Sequence, residues 1–109
     1  MIIYTDKLIP PGFDAHAWFA TFILVRPHRR GDEALIAHER RHAVDAWLCG
    51  WLVCGLLYLI SKRFRCWFEV RGYREEIKID PGRREWAAQA LANDYRLGIS
   101  AEKARDLLK

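Results

Sequence analysis

His38, Glu39 and His42 stand together in Ala37-His38-Glu39-Arg40-Arg41-His42, an HExxH arrangement. Side chains at i and i+4 of a helix leave one face about one turn apart, so two imidazoles at this spacing reach a single ion. The glutamate beside the first histidine leans toward the same side, where it can hold and deprotonate a metal-activated water. The chain has only 4 histidines, so chance seldom arranges two of them around a glutamate in this order. The chemistry these residue types support is hydrolysis assisted by zinc (Zn2+), with His38 and His42 as ligands and Glu39 as base.

A catalytic zinc takes three protein ligands and keeps one position for water. The remaining donors within reach of such a site are Glu69, Glu75, Glu76, His16, His28 and Asp45. Asp45 follows His42 by three residues on the same helix, too close to swing onto the ion, and is expected to steady an active-site side chain or cap a loop. Glu69 is the best placed. It lies in Glu69-Val70-Arg71-Gly72-Tyr73, on a helix whose apolar stripe must pack on the core, and Glu69 and Tyr73 at i and i+4 face one neighbour. Gly72 costs about 1 kcal/mol in a helix interior, which points to close backbone approach there. Glu75 and Glu76 fit a solvated acidic pair equally well; they and an upstream histidine stay open as third ligands.

These residues need elements to position them. Residues 1–16, with Pro10-Pro11-Gly12, predict an irregular lead-in. Trp18 to Val25 is aromatic and β-branched and bounded by Pro27, which predicts one strand. Asp32 is an N-cap for a helix from about Glu33 to Leu48, with Leu35, His38, Glu39, His42 and Ala46 on its inner face. A helical piece from Trp51 to Ser61 follows, then a helix from Phe64 to Ile77 with the stripe Cys66, Val70, Tyr73 and Ile77. After the Asp80-Pro81-Gly82 loop comes a helix from Arg84 to Arg96 with Trp86, Ala90 and Leu91 inward. Ser100 caps a last helix running to Leu108. The expected fold class is α+β, a small N-terminal β region followed by the active-site helix and several packed helices.

A chain of 109 residues, half of them apolar, suits one domain over 1–109. Its 3 cysteines form no CxxC pair, and an odd number in apolar surroundings suits a reducing cytoplasm. Net charge is +4, with arginine far in excess of lysine, but the basic clusters accompany no nucleic-acid module, so solvated faces and peptide-binding arginines are expected and no specific nucleic acid partner. The N-terminus lacks the pattern of a signal peptide. Ala46 to Ile60 is uncharged and covers about 22 Å as a helix, short of the roughly 30 Å hydrocarbon core. It is therefore expected to be buried core, with Trp47, Trp51 and Tyr58 over the active-site helix, and not a membrane span.

His38-Glu39-x-x-His42 followed 27 residues later by Glu69-x-x-x-Tyr73 resembles the gluzincin metallopeptidases, in particular the short gluzincin-like proteins of bacteria and their phages. Gly50-Trp51, Tyr58-Leu59 and Phe64-Arg65 match the run between the two motifs, and the resemblance spans about residues 18–105. It implies a minimal zincin-like fold, Glu69 as third zinc ligand, and a peptide or protein substrate laid along an edge strand, for which Phe19 to Val25 is the candidate. Larger gluzincins carry an Asp where Tyr73 stands, orienting a zinc histidine. The oxyanion-stabilising subdomain of those enzymes has no counterpart here, and Tyr73, Tyr58 and His28 are the candidates for that role. A catalytically silent zinc protein and a basic membrane-surface or nucleic-acid adaptor are the other classes these features admit.

Overall fold

The computed structural model describes residues 2–18 and 22–109. Its elements are β1 (Ile2–Tyr4), β2 (Ala15–Trp18), β3 (Phe22–Val25), α1 (Glu33–Cys49), α2 (Trp51–Ile60), α3 (Lys62–Ile79), α4 (Arg84–Asn93) and α5 (Ala101–Leu107), with 3-10 turns at Pro27–Arg29 and Pro81–Arg83. The architecture is α+β, as the sequence predicts: a three-stranded sheet followed by five helices.

The β region is richer than the sequence suggests. The lead-in is not irregular, since Ile2–Tyr4 pairs in parallel with Ile23, Leu24 and Val25. The single strand expected from Trp18 to Val25 is instead the two arms of an antiparallel pair, with Trp18 opposite Phe22 and Ala15 opposite Val25. Phe19, Ala20 and Thr21, which belong to that expected strand, lie outside the described residues. Strand order is β1-β3-β2, so β3 is central and β2 is an edge. The assignment of the 19–25 strand as an edge shelf is therefore corrected: the edge beside α1 is β2. A strand of three or four residues carries too little alternation to announce itself.

Helix limits follow local chemistry. Asp32 accepts the Leu35 amide at 3.1 Å, Ser61 accepts that of Phe64 at 3.2 Å, and Ser100 accepts that of Lys103 at 3.1 Å. Gly50 adopts a φ of 86°, a conformation open chiefly to glycine, and there the chain bends by 108° from α1 into α2. Apolar packing falls into three groups. Val70, Tyr73 and Ile77 of α3 pack with Ala87, Leu91 and Ala104 of the C-terminal helices. Ile23 and Val25 pack on Leu35 and Ile36. Ala46 and Cys54 pack with Phe64 and Phe68. Trp86, expected to face inward, is half-exposed.

Ala46 to Ile60 departs most from expectation. Trp47, Leu48, Trp51, Leu52, Val53, Leu56, Leu59 and Ile60 are all exposed, and of α2 only Cys54 is buried. The run is not core. A ten-residue helix that leans on α1 and α3 by one side leaves its other residues outside, whatever their hydropathy. Among the described residues no single helix is long and apolar enough to cross a membrane.

The arginines are largely engaged within the fold. Arg26 donates to the Phe13 and Ile9 carbonyls and Arg65 to those of Tyr58 and Tyr95, while Arg84 reaches the Leu108 carbonyl. Arg71 forks onto Asp45 at 2.7 and 3.0 Å, joining α3 to α1 at a carboxylate that is buried. Arg41 stands 3.7 Å from the same group. Asp45 thus steadies the helix pair and is no metal ligand. Removing Arg71 alone leaves a buried charge short of its main partner. Arg71→Ala should cost roughly 1–3 kcal/mol, lowering Tm by about 5–15 °C. The double variant with Asp45→Asn should lose less in the same thermal melt.

Candidate metal centre

The site is built where α1 and α3 lie side by side. Leu35, His38, Glu39, His42 and Ala46 form the buried face of α1, as their spacing predicts. On α3 the buried positions Glu69, Gly72, Tyr73 and Glu76 repeat at i, i+3, i+4 and i+7. Facing helix stripes that would hold leucines in an ordinary pair hold imidazoles and carboxylates here.

His38 Nε2 and His42 Nε2 lie 2.9 Å apart, and Glu69 Oε1 is 3.3 Å from the first and 2.8 Å from the second. All three side chains are buried. Lone pairs this close repel one another unless a proton or a cation lies among them. Ligands about 2.0–2.1 Å from a tetrahedral ion would be about 3.4 Å apart, so a slight spreading of this triangle admits one. The cluster can hold a metal ion. Neither Glu75 nor Glu76 enters it, and neither does His16 or His28.

Gly72 explains how the helices come close enough. A Cβ on residue 72 would fall 2.7 Å from Cδ2 and Nε2 of His38 and 2.8 Å from Cε1 of His42. The two rings occupy the space of the missing side chain. Neighbouring aromatics fix their planes: Phe68 stacks on His42 at 4.1 Å between centroids, and Tyr73 meets His38 edge-on at 4.4 Å.

Behind the ligands runs a chain of charged hydrogen bonds. His38 Nδ1 donates to Glu76 Oε1 at 2.8 Å, which directs Nε2 toward Glu69 and His42. Glu76 is fully buried, and its Oε2 accepts from Arg83 at 3.0 Å. Arg83 also donates to Asp32, the N-cap of α1, at 2.9 Å and to Asp80 at 3.1 Å. On the other ligand, the Tyr58 hydroxyl donates to Glu69 Oε2 at 2.7 Å. His42 Nδ1 is buried with no hydrogen-bond partner among the described residues, so on that side of the ring Phe68 stacks in place of a carboxylate.

Several of these roles escape a sequence reading. Tyr73 does not take the place of the orienting Asp; its hydroxyl pairs with that of Tyr95 at 2.7 Å, while Glu76 supplies the carboxylate. The signal for Glu76 was its spacing of seven from Glu69, which puts both on one helix face. Arg83 and Tyr95 carry no comparable local mark. His28 sits away from the cluster, exposed and 3.4 Å from Asp14. His16 lies on β2, where burial lowers its pKa and the fields of Glu39, His42 and Glu69 also reach it.

Glu39 is buried on α1 outside the three-atom cluster and lines a cleft of about 70 Å³ with His38, Tyr73, Glu76, Trp86 and Tyr95. Gly12, Phe13 and Asp14 close its other side. That is room for a few water molecules.

Burial alone would lower the His38 pKa, but the hydrogen-bonded carboxylates of Glu69 and Glu76 outweigh it and push it up to about 10. Burial likewise disfavours charge on Glu69, yet the His42 and His38 rings hold its carboxyl well below the usual range. Without metal the centre is thus a buried imidazolium between carboxylates, and a metal must displace the proton from His38.

No protein-family model matches the chain, and no curated protein or solved structure is significantly similar to it.

Two outcomes follow from this geometry. Gly72→Ala raises helix propensity by about 0.5–1 kcal/mol, yet should destabilise the protein and weaken metal binding about 10- to 100-fold in calorimetric titration, because the ligand rings must move. Second, the folded His38 pKa of about 10 lies above its ordinary 6.5, so its contribution to metal-free stability is full below 6.5 and lost as pH rises toward 10. Glu69, held below its ordinary 4.5, contributes above that value and loses its effect as pH falls. Chelated protein should therefore melt highest between about pH 4.5 and 6.5. Metal affinity should instead rise about tenfold per pH unit from 7 to 9, with one proton released per ion. Titration calorimetry in buffers of different ionisation enthalpy measures both.

Proposed function

We propose that the chain is a zinc-dependent metallopeptidase of the gluzincin type, in which His38, His42 and Glu69 hold the ion and Glu39 moves the proton. What supports this reading is the place of Glu39: it is buried and lines, together with His38, a water-sized cleft, yet it is not a member of the cluster. When bound, such an ion polarises a scissile carbonyl and brings the pKa of a water near 7.

Glu39 takes the proton from the attacking water and passes it to the leaving amine. Glu76 keeps a proton on His38 Nδ1, so that Nε2 presents its lone pair to the centre. Tyr58 occupies Glu69 Oε2 and leaves Oε1 as the ligand atom. With Tyr58 so engaged, the paired hydroxyls of Tyr73 and Tyr95 in the cleft wall, one of which donates to the other, keep one O–H free for a developing oxyanion. An extended peptide substrate pairs along the edge of β2, which lies against α1. A reducing, cytoplasmic setting suits its free cysteines.

Glu39→Gln should keep its metal and melting curve while losing casein hydrolysis by at least about 100-fold. Glu69→Ala should lose most of its metal by elemental analysis, and Glu75→Ala should not. Loss of metal in Glu39→Gln would contradict the division of roles. Turnover absent from zinc-loaded wild type, or untouched in Glu39→Gln, would leave the centre a structural one that ties α1 to α3.

A further inference from the structure

The exposed face of α2 continues from the end of α1. Trp47 and Leu48 are 65% and 81% exposed, and Leu52, Leu56 and Leu59 are 71%, 59% and 76% exposed. At 100° per residue the exposed positions of α2 sweep roughly 200° of its circumference, and every one of them is apolar or glycine. Exposed apolar surface of this extent marks an interaction site. At ten residues α2 is about 15 Å long, half the hydrocarbon thickness, so it suits lying in a surface and not crossing it.

Charge selects the occupant. From Ala46 to Phe68 there is no acidic residue, while Lys62 and Arg63 at the start of α3 are exposed and make no ion pair among the described residues. Trp47 and Trp67, before and after α2 in the chain, are also exposed and carry rings suited to the headgroup level. A second copy of the chain would bring more Lys62 and Arg63 to this face and, within 46–68, no carboxylate to meet them. An anionic bilayer offers apolar depth and negative headgroups together.

We propose that α2 and the adjoining end of α1 dock the protein on an anionic membrane surface, with Leu52, Leu56 and Leu59 in the acyl boundary and Lys62 and Arg63 on the headgroups. This docking is independent of the hydrolytic reading.

Flotation of the 109-residue chain with phosphatidylcholine vesicles, with and without phosphatidylserine, tests it. Binding is expected on the phosphatidylserine vesicles and should fall with salt. Lys62→Gln and Arg63→Gln should each weaken it about fivefold. Leu52→Asp with Leu56→Asp should abolish it with circular dichroism and metal content unchanged, since both positions face outward. Brominated acyl chains should quench the tryptophan fluorescence of the bound protein. Folded protein that does not float, equal binding to neutral vesicles, or a stable dimer in sedimentation velocity that the Leu52→Asp, Leu56→Asp variant splits would each overturn the assignment.

Discussion

Everything in this fold turns on the contact between α1 and α3, where two helices press together through polar groups that helix pairs usually exclude. Two imidazoles and the carboxylates of Glu39, Asp45, Glu69 and Glu76 are buried on these helices. Isolated, each such charge would be prohibitive in a dry interior. They are tolerable because each histidine meets Glu69, because His38 and Arg83 share Glu76, and because Arg71 reaches in from the rim to Asp45. The helix pair is a charge-matched array whose spacing Gly72 sets.

That array also holds the cluster in place from behind. His38 is held by Glu76, Glu76 by Arg83, and Arg83 by the aspartate that starts α1. The relay joins the first turn of α1 to the 3-10 turn after α3, so the orientation of a ligand ring is tied to two helix ends far apart in sequence. His42 has only Phe68 behind it. The two histidines, identical in the motif, therefore differ in support: both meet Glu69 through Nε2, but Nδ1 of His38 is tied into a charged network and Nδ1 of His42 has no partner among the described residues.

How much of this the sequence reveals depends on range. His38, Glu39 and His42 are legible because one helix turn positions them, and Glu69 because a glycine and a tyrosine three and four residues on mark the same face. Glu76 shares that face, but its neighbour Glu75 makes the pair look like an ordinary solvated patch. Arg83 is invisible, since its role depends on a loop folding back over two helices. The sheet was half legible: β1 and β2 are too short for periodicity, and pairing alone distinguishes a hairpin from one longer strand. The apolar run failed for another reason. Hydropathy records what a segment prefers to touch, and α2 has too little of this small fold to touch.

The same helix shows how surface and site are joined. Tyr58 is the one hydroxyl-bearing residue of α2, and it points inward to Glu69 Oε2 while leucines on the opposite side face out. Arg65, at the start of α3, grips the Tyr58 carbonyl and, from its other side, the Tyr95 carbonyl beside the cleft. A displacement of α2 would thus alter the hydrogen bond that selects which oxygen of Glu69 faces the histidines. An apolar helix with no part in the site would need no such hydroxyl. Its presence makes the exposed apolar helix a direct support of Glu69, the buried carboxylate of the candidate metal cluster.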